Sequence, residues 1–165
     1  MIKFGATQAG ALSTLQYASI SANVAVLMPS DAFGALKPEI IKGLNFTNFT
    51  STQVANLSPD QAAGLTSKQI ALLDSTDVKG FRVDALAAIK PEAIKGLAGS
   101  LVTTPSQTSA SQTGSITGLG SEAVAALTTA QLNALSSDQL EQLTATQVQY
   151  LTDTHLAFLN SKGKS

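Results

Sequence analysis

An eight-residue apolar period runs through nearly all of this chain, and it limits the fold more than any single residue does. The clearest stretch starts at Leu119 and reads LGSEAVAA, LTTAQLNA, LSSDQLEQ, LTATQVQY, LTDTHLAF. A large apolar residue opens each octad and a second stands at its sixth position. The same frame fits Phe49, Leu57, Leu65, Leu73, Phe81, Ile89 and Leu97, and a further register fits Phe4, Leu12, Ile20, Met28, Leu36 and Leu44. A fixed short period over this length marks a stack of like units, each touching mainly its neighbours.

Numbered from its apolar opener, the octad reads as one capped helical turn. Position 2 is mostly Ser or Thr (Ser13, Ser21, Thr50, Ser58, Thr66, Thr128, Ser136, Thr144, Thr152), and position 5 is often Gln (Gln8, Gln16, Gln53, Gln61, Gln69, Gln131, Gln139, Gln147). That spacing is a capping box, in which the hydroxyl accepts from the N3 amide and the N3 side chain accepts from the N-cap amide. Positions 1 and 6 then form a hydrophobic staple, as in Leu127 with Leu132. Pro38, Pro59 and Pro91 fall on position 3, the first helical residue, where a missing N–H costs nothing. Gly43, Gly64, Gly80 and Gly96 fall on position 8, where a short helix has to end and turn. Seven of the eleven acids, Asp31, Glu39, Asp60, Asp84, Glu92, Glu122 and Asp138, sit at position 4, in the first turn that the helix dipole favours for negative charge.

Two other conformations meet geometric objections. In one continuous α-helix, each octad would rotate the apolar stripe by roughly 80°, so the stripe could not stay buried. In a flat strand, positions 1 and 6 would point to opposite faces. An octapeptide β-solenoid could bend around that objection, but Pro at position 3, the Ala content and the capping box argue against it. The expected fold is all-α: a solenoid of stacked short one-turn helices, one per octad, with irregular turns between them. A lone octad buries only two large side chains, worth roughly 3–6 kcal/mol, against about 8–16 kcal/mol of backbone entropy. Stacking is therefore obligatory.

Two breaks divide the array into N-terminal octads over 1–48, a second block over 49–99, a Ser/Thr/Gln-rich loop or linker over 100–116 and a C-terminal block over 117–165. Between Leu44 and Phe49 the octad shrinks to five residues, which should kink or re-phase the stack. LKPEIIKGL at 36–44 and IKPEAIKGL at 89–97 point to duplication of a larger block.

Chemistry is hard to find. Net charge is −1, charged residues make up 13%, and Cys is absent, so there is no basic footprint for nucleic acid and no thiolate metal site. No segment looks long and apolar enough to span a membrane, and polar residues interrupt any signal-peptide core near Lys3. His155 is the only histidine and stands where neighbouring octads carry Gln, so it reads as a capping substitute. Ten of the eleven acids lie at positions 2 to 5, where helix starts account for them; Glu141 is the exception. Three Asn-x-Ser/Thr triplets begin at Asn45, Asn48 and Asn56, and Lys37, Lys42, Lys90 and Lys95 read as a solvated face. The chain offers no nucleophile elbow, phosphate loop or calcium loop. No catalytic, cofactor or metal residue is expected, and no enzyme.

The octads resemble the tandem LTxxQ(V/I/L)xx and (I/L)xPEAIxGL repeats of large bacterial secreted and surface proteins of the adhesin-like or haemagglutinin-like kind. The resemblance implies an extracellular or cell-surface, non-enzymatic role. The expected function is that of a structural repeat protein, a subunit of a self-assembling surface fibre or an adhesin stalk. The alternative is a solenoid binding module for a protein, glycan or surface ligand. Its expected partners are copies of itself stacked head to tail, with a surface glycan or protein as a further option. Phe4 and Leu12 at one end, and Leu151, Leu156 and Leu159 at the other, are the candidate stacking residues, because no polar cap lies beyond them.

Overall fold

The computed structural model describes residues 5–18, 27–46, 49–97 and 115–162. Among them every regular element is a helix, and nearly all are a single turn of four to six residues. They are α1 (Ala6–Ala11), α2 (Thr14–Ala18), α3 (Ser30–Gly34), α4 (Pro38–Lys42), α5 (Ser51–Ala55), α6 (Pro59–Ala63), α7 (Ser67–Ile70), α8 (Ser75–Val78), α9 (Val83–Ala88) and α10 (Pro91–Ile94). After 3₁₀ turns at Lys95–Leu97 and Ser115–Gly118 come α11 (Ser121–Ala125), α12 (Thr129–Ala134), α13 (Ser137–Glu141), α14 (Ala145–Val148) and the longer α15 (Asp153–Lys162). The fold is the helical solenoid that the octad dictates.

Three octads complete one coil. α5 packs on α8, α6 on α9, α7 on α10, α11 on α14 and α12 on α15. Each of these pairs starts 24 residues apart, as Ser51 and Ser75 do. The openers and the position-6 side chains point to a shared axis and form one continuous core. In the middle coils this core is dry: Val54, Ala62, Ile70, Leu86 and Ile94 are all fully buried.

The first break omits one helix. α3 packs on α5 and α4 on α6, but each pair starts only 21 residues apart. Phe46 and Phe49 fill the space, both buried, with ring centroids 4.4 Å apart, and Phe49 also meets Phe33 at 5.0 Å. The stack runs on through this corner in contact, because two aromatic rings supply the volume that the lost octad would have buried. At the second break, α9 packs on α11 and α10 on α12 across the residues between 97 and 115. The stack continues on both sides of that segment.

Caps follow the expected rule where the box is complete. The position-2 hydroxyl accepts from the Gln amide in Thr50/Gln53, Ser58/Gln61, Thr66/Gln69, Thr128/Gln131, Ser136/Gln139 and Thr144/Gln147. Five octads lack both the hydroxyl at position 2 and Gln at position 5: Pro29/Ala32, Lys37/Ile40, Arg82/Ala85, Lys90/Ala93 and Gly120/Ala123. Their N-caps receive no side-chain bond. Pro38, Pro59 and Pro91 begin their helices as expected.

The glycines act for a different reason from the one their position suggests. Gly43 and Gly64 end their helices at φ −88° and −86°, ordinary right-handed values open to any residue. What glycine supplies elsewhere is room. A Cβ on Gly80 would overlap the Ser51 carbonyl oxygen and lie 2.7 Å from its carbon, and Gly118 stands over Ser75 in the same way. Gly43 has no such neighbour; its nearest atom is Ile40 O at 3.6 Å. Gly43→Ala is therefore expected to stabilise the fold by about 0.4–1 kcal/mol, since it restricts only the unfolded chain. Chemical denaturation would read this as a higher midpoint.

Candidate assembly site

The ends of the stack are halves of the contact that joins coils in its interior. Gln61, Gln69, Gln131, Gln139 and Gln147, all at position 5, are buried, at 1% exposure for Gln61 and Gln131 and 5% for Gln69. Each does two jobs. Its Oε1 accepts from the N-cap amide of its own octad, 2.8 Å from Thr128 N in the case of Gln131. Its Nε2 donates to backbone carbonyls of the coil beneath. Gln61 reaches Gly34 O (3.0 Å) and Leu36 O (2.6 Å). Gln69 reaches Ile41 O (2.8 Å) and Leu44 O (3.0 Å). Gln131 reaches Leu86 O (2.9 Å) and Ile89 O (2.7 Å), Gln139 reaches Lys95 O (2.9 Å), and Gln147 reaches Ile116 O and Leu119 O (both 2.9 Å).

These carbonyls belong to the ends of helical turns, where intrahelical donors run out. One buried amide thus satisfies the start of its own turn and the end of another. The reading of position 5 as a cap alone missed this second role.

The described end coils each expose one half of that contact. In the last coil, position-6 side chains are uncovered: Leu140 is half-buried, Val148 is 41% exposed and Leu156 38%. In the first coil the position-6 residue Ala9 is buried, while Gln8 and Gln16 are exposed. Gln8 still accepts from Gly5 N at 2.8 Å and Gln16 from Ser13 N at 2.9 Å.

Of the residues expected at the ends, Phe4 lies outside the described residues. Leu12 and Leu159 are partly buried against the core. The Leu151 side chain is buried. At 7% exposure it is a core side chain, because an octad opener points to the axis even in the last coil. Of the four that are described, Leu156 alone is exposed. Val148 was passed over, although its position-6 place in the last complete coil would have found it.

Other candidates resolve into folding roles. His155 is 5% exposed and stands in for Gln: its Nδ1 accepts from Thr152 N at 3.4 Å, and its own amide donates to Thr152 Oγ1 at 3.3 Å. Lys37, Lys42, Lys90 and Lys95 are all exposed. Asn45 and Asn56 are exposed, and Asn48 lies outside the described residues. Arg82 and Asp84 pair at 2.7 Å on the open surface, where such pairs contribute little. Burial pushes the Tyr17 phenol up, and its hydroxyl finds no partner among the described residues. Among those residues no group of three or more His, Asp or Glu could hold a metal ion, and no helix is long and apolar enough to cross a membrane.

Asp74 and Asp77 form a carboxylate version of the box. Asp74 Oδ1 accepts from the amides of Thr76 (2.7 Å) and Asp77 (2.8 Å), and Asp74 N donates to Asp77 Oδ2 (3.2 Å). Burial pushes the Asp77 carboxyl up; the bond from the Asp74 backbone opposes this, and the Asp74 charge adds to the rise. A raised carboxyl binds its proton more tightly in the folded state. Its contribution is thus present at low pH and lost as pH rises through the folded value. Asp77→Gln is expected to raise the melting temperature at pH 7 and to change it little at pH 3. Thermal melts at the two values check this.

Residues 124–161 match the family described as the ALTTAQ repeat. Ala126–Gln131 spells those six letters, and the structure gives them roles: opener Leu127, N-cap Thr128 and bridging Gln131. No curated protein and no solved structure matches the chain. The chain is a repeat-containing protein with a helical solenoid fold.

Proposed function

We propose that this chain is a structural, non-enzymatic repeat protein acting outside the cell, as a self-assembling subunit of a surface fibre or of an adhesin stalk. The observation that carries the reading is the last coil, where Val148 and Leu156 remain exposed although the same position is fully buried in the middle coils. Exposed apolar surface of this kind, on a unit that stacks by translation, favours heterologous contacts that do not close. The placement of Ser, Thr, Gln, Gly and acidic residues supports the same view, since caps, bridges and close approaches already account for them.

Sedimentation velocity across a concentration series, with electron microscopy of the same samples, tests the proposal. Species that lengthen with concentration are expected. A monomer that persists at the highest concentration would remove the fibre reading.

A further inference from the structure

Resting on that self-assembly reading, we propose that copies join through the interior coil contact itself. The glutamine face of the first coil would seat on the carbonyl and position-6 face of another copy's last coil. Three observations converge on this polarity. Every position-5 Gln bridge in the described interior points toward the N-terminal coil, from Gln61 down to Leu36 and from Gln147 down to Leu119. Donors therefore lie on the N-terminal side of each coil and acceptors on the C-terminal side.

At the N-terminal end the donor side faces outward, with Gln8 exposed where Gln131, Gln139 and Gln147 are buried. At the C-terminal end the acceptor side faces outward. There the carbonyls of Val148 and Leu151 occupy the octad positions at which Ile41 and Leu44 receive Gln69. Leu151 N donates to Val148 O at 3.1 Å, and Leu44 N to Ile41 O at the same distance, so the two turns are built alike. The interior acceptors take a second donor each from a glutamine above them, and among the described residues no glutamine amide reaches the carbonyls of Val148 and Leu151.

The partner that fits is a second copy of this chain, in one orientation only. The two faces differ, so a like-to-like pair would set amide donors against donors or apolar side chains against an unmatched surface. The contact is heterologous, and repetition extends the array.

A face-blocking experiment on the full chain tests the polarity. One variant carries Val148→Glu and Leu156→Glu, both at exposed positions. The other carries Gln8→Glu, which keeps the N3 cap acceptor and removes the donor. Circular dichroism and thermal melts first establish that both fold like the parent. The parent is expected to form a ladder of species. Each variant alone should be a monomer, and their equimolar mixture should stop at a one-to-one dimer by sedimentation velocity. If both variants assemble like the parent, copies meet through another surface, and this inference fails while the fibre reading stands. If the mixture stays monomeric, head-to-tail pairing is wrong. A monomeric parent overturns both.

Discussion

Gln131→Glu is expected to destabilise the protein by about 3–5 kcal/mol, although it changes the side chain by one atom group. The estimate follows from two buried acceptors losing their donors, at about 1–3 kcal/mol each, plus a carboxylate set among carbonyl oxygens. Gln131 is 1% exposed, so solvent cannot replace the lost bonds. Leu86 O and Ile89 O, at 2.9 and 2.7 Å, are the groups left unpaired. The cap within the octad survives, since the glutamate oxygen can still accept from Thr128 N. Any loss therefore reports on the bridge between coils rather than on the helix start. The same change at exposed Gln8 is expected to cost less than about 0.5 kcal/mol. Urea unfolding of the two variants side by side would show a large fall in midpoint for one and almost none for the other.

Gly80→Ala is expected to cost about 3 kcal/mol or more, at the upper end of overpacking effects. The added methyl would overlap the Ser51 carbonyl oxygen and lie 2.7 and 2.9 Å from the Ser51 carbonyl carbon and Cα. All three are backbone atoms, so no side-chain rotation relieves the clash and the coils themselves have to separate. That separation would also weaken the packing of α5 on α8. Gly43→Ala, the same substitution at the same octad position, has the opposite expected sign. Denaturation midpoints for the pair distinguish close approach from helix termination as the reason for glycine. A similar loss in both variants would mean that turn conformation governs position 8.

The sequence revealed what is local and concealed what is not. Capping boxes, staples and N1 prolines span three to five residues, so their partners stand next to each other in the chain; Thr128 and Gln131 could be paired on paper. The number of octads per coil leaves no trace in the apolar period, because any coil built from whole octads repeats every eight residues. Only contacts such as Gln147 to Leu119 reveal three. One signal was present and unused. A capping box accepts Glu or Gln at N3, and the helix dipole favours Glu. Yet eight position-5 sites carry Gln and none carries Glu. Capping needs only an acceptor, so the preference for an amide pointed to a donor's task as well.

The end faces were legible as apolar residues near the termini, but their identities were not. Leu151 looked terminal and is buried, because openers face the axis in every coil. Val148 looked like any other staple residue and is exposed, because position 6 depends on the coil above for its cover. Burial at that position is a property of the stack.

The central claim is that buried position-5 glutamine amides, where they occur in the interior, join one coil to the coil beneath it. The most direct test is a long-range NMR experiment that detects scalar coupling across hydrogen bonds, applied to the Gln69 side-chain amide. Couplings to the carbonyl carbons of Ile41 and Leu44, which lie one coil back across the shortened corner, are the expected result. An amide that couples to neither and exchanges freely with water would contradict the account.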